Sequence, residues 1–333
     1  MKEQPLRFIS LKNRCRRKRC MTRKNWIIFG VMVGMMILVM VMTYVYMVPS
    51  KPEKKRVQIS VVVYGSSNGR WTAFKEGVDQ AETDFGAVVN FITMDEKNDY
   101  KEQAEVLRRE LDGGAQGLAV AVTDSGEMKE DILELAENVP LVLVESNMEG
   151  DLPCVAADAY QMGAGLARQI ITEMGEDIQV YILPIDERRS CPKLRLQGFV
   201  DAMEDSVKDV AQLTNFDEAA QQEFWKKAGS AVLVALDDKE LENAVTAMQN
   251  SENKVSLYGI GSSEKIVYEL DRGVIKGIVF QNEFNMGYEA VEALLERMRG
   301  QDISGMPEVD YHHASKETMH LKENERLLFP IIQ

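Results

Sequence analysis

Residues 26–48 are 23 consecutive positions without a charge, closed by Pro49 and Lys51. As a helix rising ~1.5 Å per residue, the run spans roughly 34 Å, enough to cross a hydrocarbon core of ~30 Å. Ten basic residues between Lys2 and Lys24 precede it, opposed only by Glu3. The positive-inside bias predicts a cytoplasmic N-terminus for such a span and puts the chain after about residue 51 outside the cytoplasm. A cleavable secretory signal has the same order of parts, but its apolar core is typically ~7–15 residues long and ends in small residues. Here the exit reads Thr43-Tyr44-Val45-Tyr46-Met47-Val48, with no small-x-small site and with Tyr44 and Tyr46 placed as interfacial anchors. Cys20 precedes the apolar run, the wrong side for a lipidated cysteine ending a signal. The expectation is a retained single-pass anchor in the cell membrane: residues 1–25 basic and cytoplasmic, 26–48 the transmembrane helix, 49–56 a linker with the charged sequence KPEKKR.

The first 25 residues carry +9, so the total of −14 leaves −23 on everything after them. Such an acidic exterior argues against nucleic acid as a partner. The basic Arg14–Arg19 cluster, beside a membrane span, reads as a topology signal that touches anionic lipid. Residues 57–333 are numerous enough for two lobes of ~100–150 residues. Of four cysteines, only Cys154 and Cys191 fall in this part, which permits one exported disulfide at most. His312, His313 and His320 bunch near the C-terminus, but adjacent histidines point different ways on regular structure, so no metal site is expected.

After the linker, apolar runs of strand length alternate with segments of helical period. Strands are expected at 59–64, 88–93, 117–122 and 141–144, with helices at 71–85, 100–111 and 128–137 between them. The rhythm restarts with strands at 155–157, 179–183, 211–213, 231–236, 256–260 and 277–281, and with helices at 160–174, 193–203, 218–227, 241–249, 264–271 and 286–299. This is the βαβ signature of parallel, doubly wound sheets. In 100–111, Ala104, Leu107 and Leu111 fall on one stripe while Lys101, Glu105 and Arg108 point outward. The fold class expected is therefore α/β, with two Rossmann-like lobes and a ligand cleft between them at the carboxyl ends of the strands, preceded by one membrane helix.

No catalytic constellation stands out: there is no G-x-S-x-G elbow, no H-E-x-x-H and no glycine-rich phosphate loop. Fifty-three acidic residues make carboxylate pairs inevitable, so a pair by itself is no sign of glycosidase chemistry. An enzyme is not expected, and neither is a cofactor. What does stand out is polar and aromatic residues just past successive strands: Ser66-Ser67-Asn68-Gly69-Arg70-Trp71, Thr123-Asp124-Ser125, Asp237-Asp238, and Gln281-Asn282. There a sugar could meet planar hydrogen-bonding groups for its hydroxyls and an aromatic face for its C–H surface.

From about residue 57 to 332 the chain resembles type 1 periplasmic binding proteins of the ribose- and galactose-binding kind. The matching pieces are Ser67-Asn68-Gly69-Arg70-Trp71 with Phe74-Lys75-Glu76-Gly77, Val122-Thr123-Asp124-Ser125, Ala157-Asp158, Lys193-Leu194-Arg195-Leu196-Gln197-Gly198-Phe199, and the stretch 277–281. The resemblance implies that Asn68 and Asp124 from one lobe bind hydroxyls and that Trp71 stacks on the ligand. From the other lobe, Arg195, Asp237 and Gln281 would add polar contacts and Phe216 the opposite stacking face. It also implies lobes at about 57–157 with 283–309, and at about 158–282 with 310–333. Each residue has a plainer alternative: Asn68 and Asp124 as helix caps, Trp71 and Phe216 as packing, Arg188 and Arg189 as a solvated loop. Asp158 reads as a cap or an organiser of the crossover.

The departures affect specificity. Gly259-Ile260-Gly261 stands where the family often has an aspartate after Gly-Phe, Asp237 stands where an asparagine is expected, and Ser146 replaces an arginine common after the strand ending at Glu145. The lobe architecture carries over while the identity of the sugar does not. Arg188 and Arg189 leave an anionic sugar open. The resemblance implies an extracytoplasmic receptor for a sugar or polyol that serves an importer permease. The alternative is a sugar-sensing co-receptor for a membrane kinase or chemoreceptor, which a short tether favours by raising the local concentration of a membrane partner. The repressors that share the ligand fold need a DNA-reading headpiece, and here a basic stub and a membrane helix take its place.

Overall fold

The computed structural model describes residues 23–47, 56–65, 69–95, 97–150, 152–204, 207, 209–249, 255–301, 303 and 308–329. The chain forms two compact units that divide after Lys55. The first unit contains α1 (Arg23–Met47), 25 residues long. Its stretch from Arg23 to Tyr44 has a mean hydropathy of 2.4 and is long and apolar enough to cross a membrane.

The second unit opens with β1 (Gln58–Val63), α2 (Thr72–Phe85), β2 (Val88–Thr93), α3 (Tyr100–Asp112), β3 (Leu118–Val120), α4 (Lys129–Asn138), β4 (Leu141–Val144) and β5 (Cys154–Val155). These five strands make one parallel sheet in the order β2-β1-β3-β4-β5. All four residues of β4 are buried, which a parallel strand covered on both faces requires. The stripe expected in α3 is present: Ala104 and Leu107 are buried while Lys101, Glu105 and Arg108 are exposed.

The pattern repeats through α5 (Ala159–Met174), β6 (Gln179–Ile182), α6 (Ser190–Glu204), β7 (Asp209–Gln212), α7 (Glu218–Lys227), β8 (Val232–Ala235), α8 (Asp238–Gln249), β9 (Ser256–Ile260), α9 (Glu264–Asp271) and β10 (Ile275–Gln281). It ends with α10 (Glu283–Met298), β11 (Tyr311–Ser315) and α11 (Lys322–Leu328). The second sheet runs β11-β10-β9-β8-β6-β7, the same winding with an added edge strand, β11, antiparallel to β10. β11 and α11 were not expected, because the histidine-bearing Tyr311–Ser315 and the charged Lys322–Leu328 lack an apolar period. Helix α6 starts at Ser190, ahead of the expected 193, since Pro192 in its first turn needs no amide partner.

Apolar residues of α2 and α10 cover one face of the first sheet and those of α3 and α4 the other. In the second sheet α5 with α6 and α7 with α8 and α9 share the faces likewise. Each lobe has one crossing where helix backbones touch. A Cβ on Gly77 would lie 1.9 Å from the Phe284 carbonyl oxygen, and one on Gly163 would lie 1.9 Å from that of Arg195. The chain passes between the lobes three times: before α5, between β10 and α10, and between α10 and β11. Asp158 at the first passage accepts from the Gln161 amide at 2.9 Å, and Asn282 at the second from that of Asn285 at 3.0 Å, so both passages end in helix caps.

Candidate functional site

The carboxyl ends of β1, β4, β6, β8 and β10 converge on a buried polar cluster between the lobes. At its centre is Glu145, the first residue past β4, with φ of 62°. A non-glycine residue costs about 1–2 kcal/mol in this left-handed region. The Glu145 amide donates to the Val155 carbonyl at 3.0 Å and the Ser146 amide to that of Val144 at 2.7 Å, which holds the turn. The carboxylate accepts from Tyr64 Oη at 2.6 Å, Arg70 Nη2 at 2.6 Å, Gln281 Nε2 at 3.2 Å and Arg195 Nη2 at 3.3 Å. Burial opposes its charge, but Arg70, Arg195 and Arg189 outweigh that and hold its pKa down to about 2.

Arg70 presents a full fork to three carboxylates: Nη2 to Glu145, Nη1 to Glu283 at 2.9 Å and Nε to Asp238 at 3.1 Å. Burial disfavours its charge, and Glu283, Glu145 and Asp238 more than restore it, so its pKa is raised. The three carboxylates are not equivalent. Glu283 is pushed up to about 7, first by burial, against the pull of Arg70 and with the repulsion of Glu145 and Asp238. Asp238, at the start of α8, is also raised by burial, although Arg70, Arg195 and the Ser262 amide favour its charge.

Beside this cluster lies a cavity of about 190 Å³, lined by Tyr64, Asn98, Arg188, Arg189, Arg195 and Asp237 among others. It is a space for a small ligand. At its rim the two lobes touch directly: Ser125 N donates to Arg188 O at 2.8 Å, Ser190 N to Ser125 Oγ at 3.1 Å, and Ser190 Oγ to Asn147 O at 2.5 Å. Asn98 closes the floor, its amide exchanging two hydrogen bonds with the Gly65 backbone at 2.7 and 2.8 Å.

Of the residues implied by resemblance, Arg195, Asp237 and Gln281 are in the cluster. Arg195 is 3% exposed and also donates to the Leu236 carbonyl at 3.1 Å. Asp237 caps α8 through the Glu240 amide at 3.0 Å and lies 3.6 Å from Arg189. Gln281 donates to Glu145 and, at 3.0 Å, to Glu283. Trp71 is buried behind them. Its N–H donates to the Tyr64 carbonyl at 2.9 Å, and the Arg70 guanidinium lies 4.4 Å over its ring. Asp124 stays near the rim, its Oδ1 accepting from the amides of Gly126 and Glu127, both at 2.9 Å. Phe216 packs edge-on to Phe224 and Trp225 in the second lobe, away from the cavity. Asn68 lies outside the described residues.

Tyr64, Glu145 and Glu283 carry no motif. The one signal that could have found them is position, since each is a polar or amphipathic residue at a strand's carboxyl end or just beyond it. Cys154 and Cys191 are free thiols, and burial pushes them up to about 12 and about 11. His312 and His313 alternate along β11, one against Phe280 and the other 3.4 Å from Gln169. Among the described residues no group of histidine, cysteine and carboxylate side chains is placed to hold a metal.

The sequence matches the family described as periplasmic binding protein domain over residues 59–302. No curated protein matches the chain. Among solved structures, a carbohydrate transporter solute-binding protein from Agrobacterium radiobacter in complex with D-arabinose superposes with a TM-score of 0.74 at 19% identity, over 83% of this chain and 100% of its own. A solute-binding protein of an ABC transporter from Agrobacterium vitis, bound with α-D-tagatopyranose, gives 0.74 at 17% identity, over 82% of this chain and 99% of its own. The XylFII–LytSN complex gives 0.65 at 18% identity, over 78% and 99%. At these identities the likeness is one of fold.

Proposed function

The chain belongs to the periplasmic binding protein domain family, and from that premise we propose that it is a membrane-anchored extracytoplasmic receptor whose lobes close on a sugar or polyol for an ABC-type importer. The matched domain points to an extracytoplasmic location, and neighbours in fold are sugar-transporter solute-binding proteins, two of them with a sugar bound. The observation that carries the reading is the cavity between the lobes, walled by Tyr64, Arg70 and Asn98 from the first and by guanidinium and carboxylate groups of the second. Paired donors and acceptors of this kind complement hydroxyls, each of which both gives and takes a hydrogen bond. The role is binding without catalysis, and hinge closure around the ligand is the signal that a permease would read.

A second reading has its own support. A neighbour in fold is in complex with a protein named LytSN, and a short linker beside an apolar helix suits a sensing co-receptor of a membrane kinase as well as a transport receptor. The two readings share the ligand and differ in the partner.

The test uses the full chain in nanodiscs and a panel of pentoses, hexoses, sugar acids, amino acids and nucleosides. A ligand that binds only the native form stabilises it by about 2.7 kcal/mol at one hundred times Kd, a clear thermal shift. A shift with sugars alone supports the reading. A shift only with an amino acid or nucleoside overturns the substrate class. The anchor is tested by fractionation with protease protection, and finding the mature protein soluble and starting near residue 50 overturns it. Crosslinking in membranes then separates a permease partner from a kinase.

A further inference from the structure

Two arginines cross between the lobes in opposite directions. Arg70, from the first lobe, reaches Asp238 of the second, with Nε 3.1 Å from Oδ2. Arg195, from the second lobe, reaches Glu145 of the first, with Nη2 3.3 Å from Oε1. Gln281 Nε2 brings another bond from the second lobe to the same Glu145 oxygen, at 3.2 Å. Arg189 of the second lobe lies over the Tyr64 ring of the first, 4.0 Å from its centroid. The side chains of Arg70, Glu145 and Arg195 are all buried, so solvent ions screen these pairs little.

Each guanidinium is also held by its own lobe. Arg70 binds Glu145 and Glu283 there, and Arg195 donates to the Leu236 carbonyl. Glu145 takes a left-handed backbone that a non-glycine residue keeps only where its surroundings impose it, and this turn aims the carboxylate at the second lobe. Its charge is firmly held: Arg70, Arg195 and Arg189 outweigh burial and keep its pKa at about 2. Asp238 gains less, since burial raises its pKa despite Arg70, so the tie between Glu145 and Arg195 is the stronger of the two. We propose that this reciprocal pair of arginines is a built-in latch, which holds the lobes together on the chain's own groups and makes the closed form the majority before any ligand arrives.

The inference goes beyond the transport and sensing readings and applies to both. Opening the hinge separates Arg195 and Gln281 from Glu145, and Arg70 from Asp238. Glu145 keeps its bonds to Tyr64 and Arg70 inside the first lobe, so the lobes themselves stay folded. Water hydrates the freed groups and offsets part of the loss. Each tie is therefore of the scale of one net charged hydrogen bond, about ten- to a hundredfold in the ratio of closed to open molecules. A partner that reads closure meets a basal closed population, and a ligand that binds the closed form raises it further.

The experiment is single-molecule energy transfer on the full chain in nanodiscs, between dyes carried on unnatural side chains at the exposed positions Lys101 in the first lobe and Glu218 in the second. Wild type, Arg195→Met, Glu145→Gln and the double variant are compared without added sugar, so the result stands apart from whether a sugar binds. Most wild-type molecules should show the separation of this structure. Each single variant should lower the ratio of closed to open molecules by about ten- to a hundredfold while still melting cooperatively. The double variant should open scarcely further than Glu145→Gln alone, because the two residues act through each other. Arg195→Met decides the matter even if Glu145→Gln folds poorly, since it leaves Glu145 with Tyr64 and Arg70. A wild type that is mostly open, an Arg195→Met variant as closed as wild type, or additive opening in the double variant overturns the latch. So does a closed wild type that releases a stoichiometric small molecule on denaturation, seen by mass spectrometry.

Discussion

Replacing Glu283 by Gln should make the protein more stable, although it removes one partner of a buried arginine. Glu283 has a pKa near 7, against 4.5 for an ordinary glutamate, chiefly because it is buried. The sign follows from proton counting. Between about pH 4.5 and 7 the folded chain keeps a proton that the unfolded chain has released, so stability falls as pH rises through that window and the penalty is complete above it. The gap corresponds to about 3 kcal/mol. Arg70 is not stranded by the change, since Glu145 and Asp238 remain at 2.6 and 3.1 Å, and the glutamine oxygen can still accept where Glu283 Oε1 does at 2.9 Å. Glu283 Oε2 is buried and unpartnered, and the amide nitrogen would stand where the protonated acid carries its hydrogen. At about 2–4 °C per kcal/mol for a domain of this size, Glu283→Gln should raise the melting temperature by roughly 6–12 °C near pH 8 and scarcely change it near pH 5. Scanning calorimetry of wild type and variant at the two pH values measures it. A lowered melting temperature near pH 8, or the same rise at both pH values, would refute the reasoning and make Glu283 an ionised anchor of Arg70.

Four further outcomes are expected. Glu145→Ala leaves Arg70, Arg189 and Arg195 without their shared carboxylate and should destabilise by about 3–5 kcal/mol in denaturant titration; a midpoint close to wild type contradicts the network. Because the folded pKa of Glu145 is depressed to about 2, its stabilisation should be present above pH 4.5 and lost as pH falls toward 2, so the acid limb of the stability profile should flatten in that variant. Gly163→Ala should cost about 1–3 kcal/mol by forcing α5 from the Arg195 carbonyl, seen as a lower denaturation midpoint, and an unchanged midpoint would show that the crossing yields freely. Cys191, whose buried thiol is pushed up to about 11, should react slowly with an aromatic disulfide reagent near neutral pH and quickly after unfolding; rapid labelling of Cys191 in the native chain contradicts its burial.

The parts of this protein that could be read without coordinates are those set by local period and composition. An uncharged run, strand-length apolar stretches and helical stripes each depend on residues a few positions apart, and they yielded the apolar helix and the two wound sheets. The loops past the strands were also legible, because a parallel sheet puts every carboxyl end at the same edge. Edge strand β11 was not, since only one of its five residues is fully buried and its period is weak. Nor were the pairings within the cluster. Arg195 meets Glu145 across 50 positions and Gln281 meets it across 136, distances over which no spacing rule operates. Trp71 and Phe216 have the residue type for stacking on a ligand, yet Arg70 covers the first and Phe224 and Trp225 surround the second. Which donors are engaged and which, like Arg189 Nε, stay unpaired depends on how closely two lobes approach in three dimensions. That approach is decided by the hinge passages and by the contacts across the rim, whose geometry is a property of the whole packed chain.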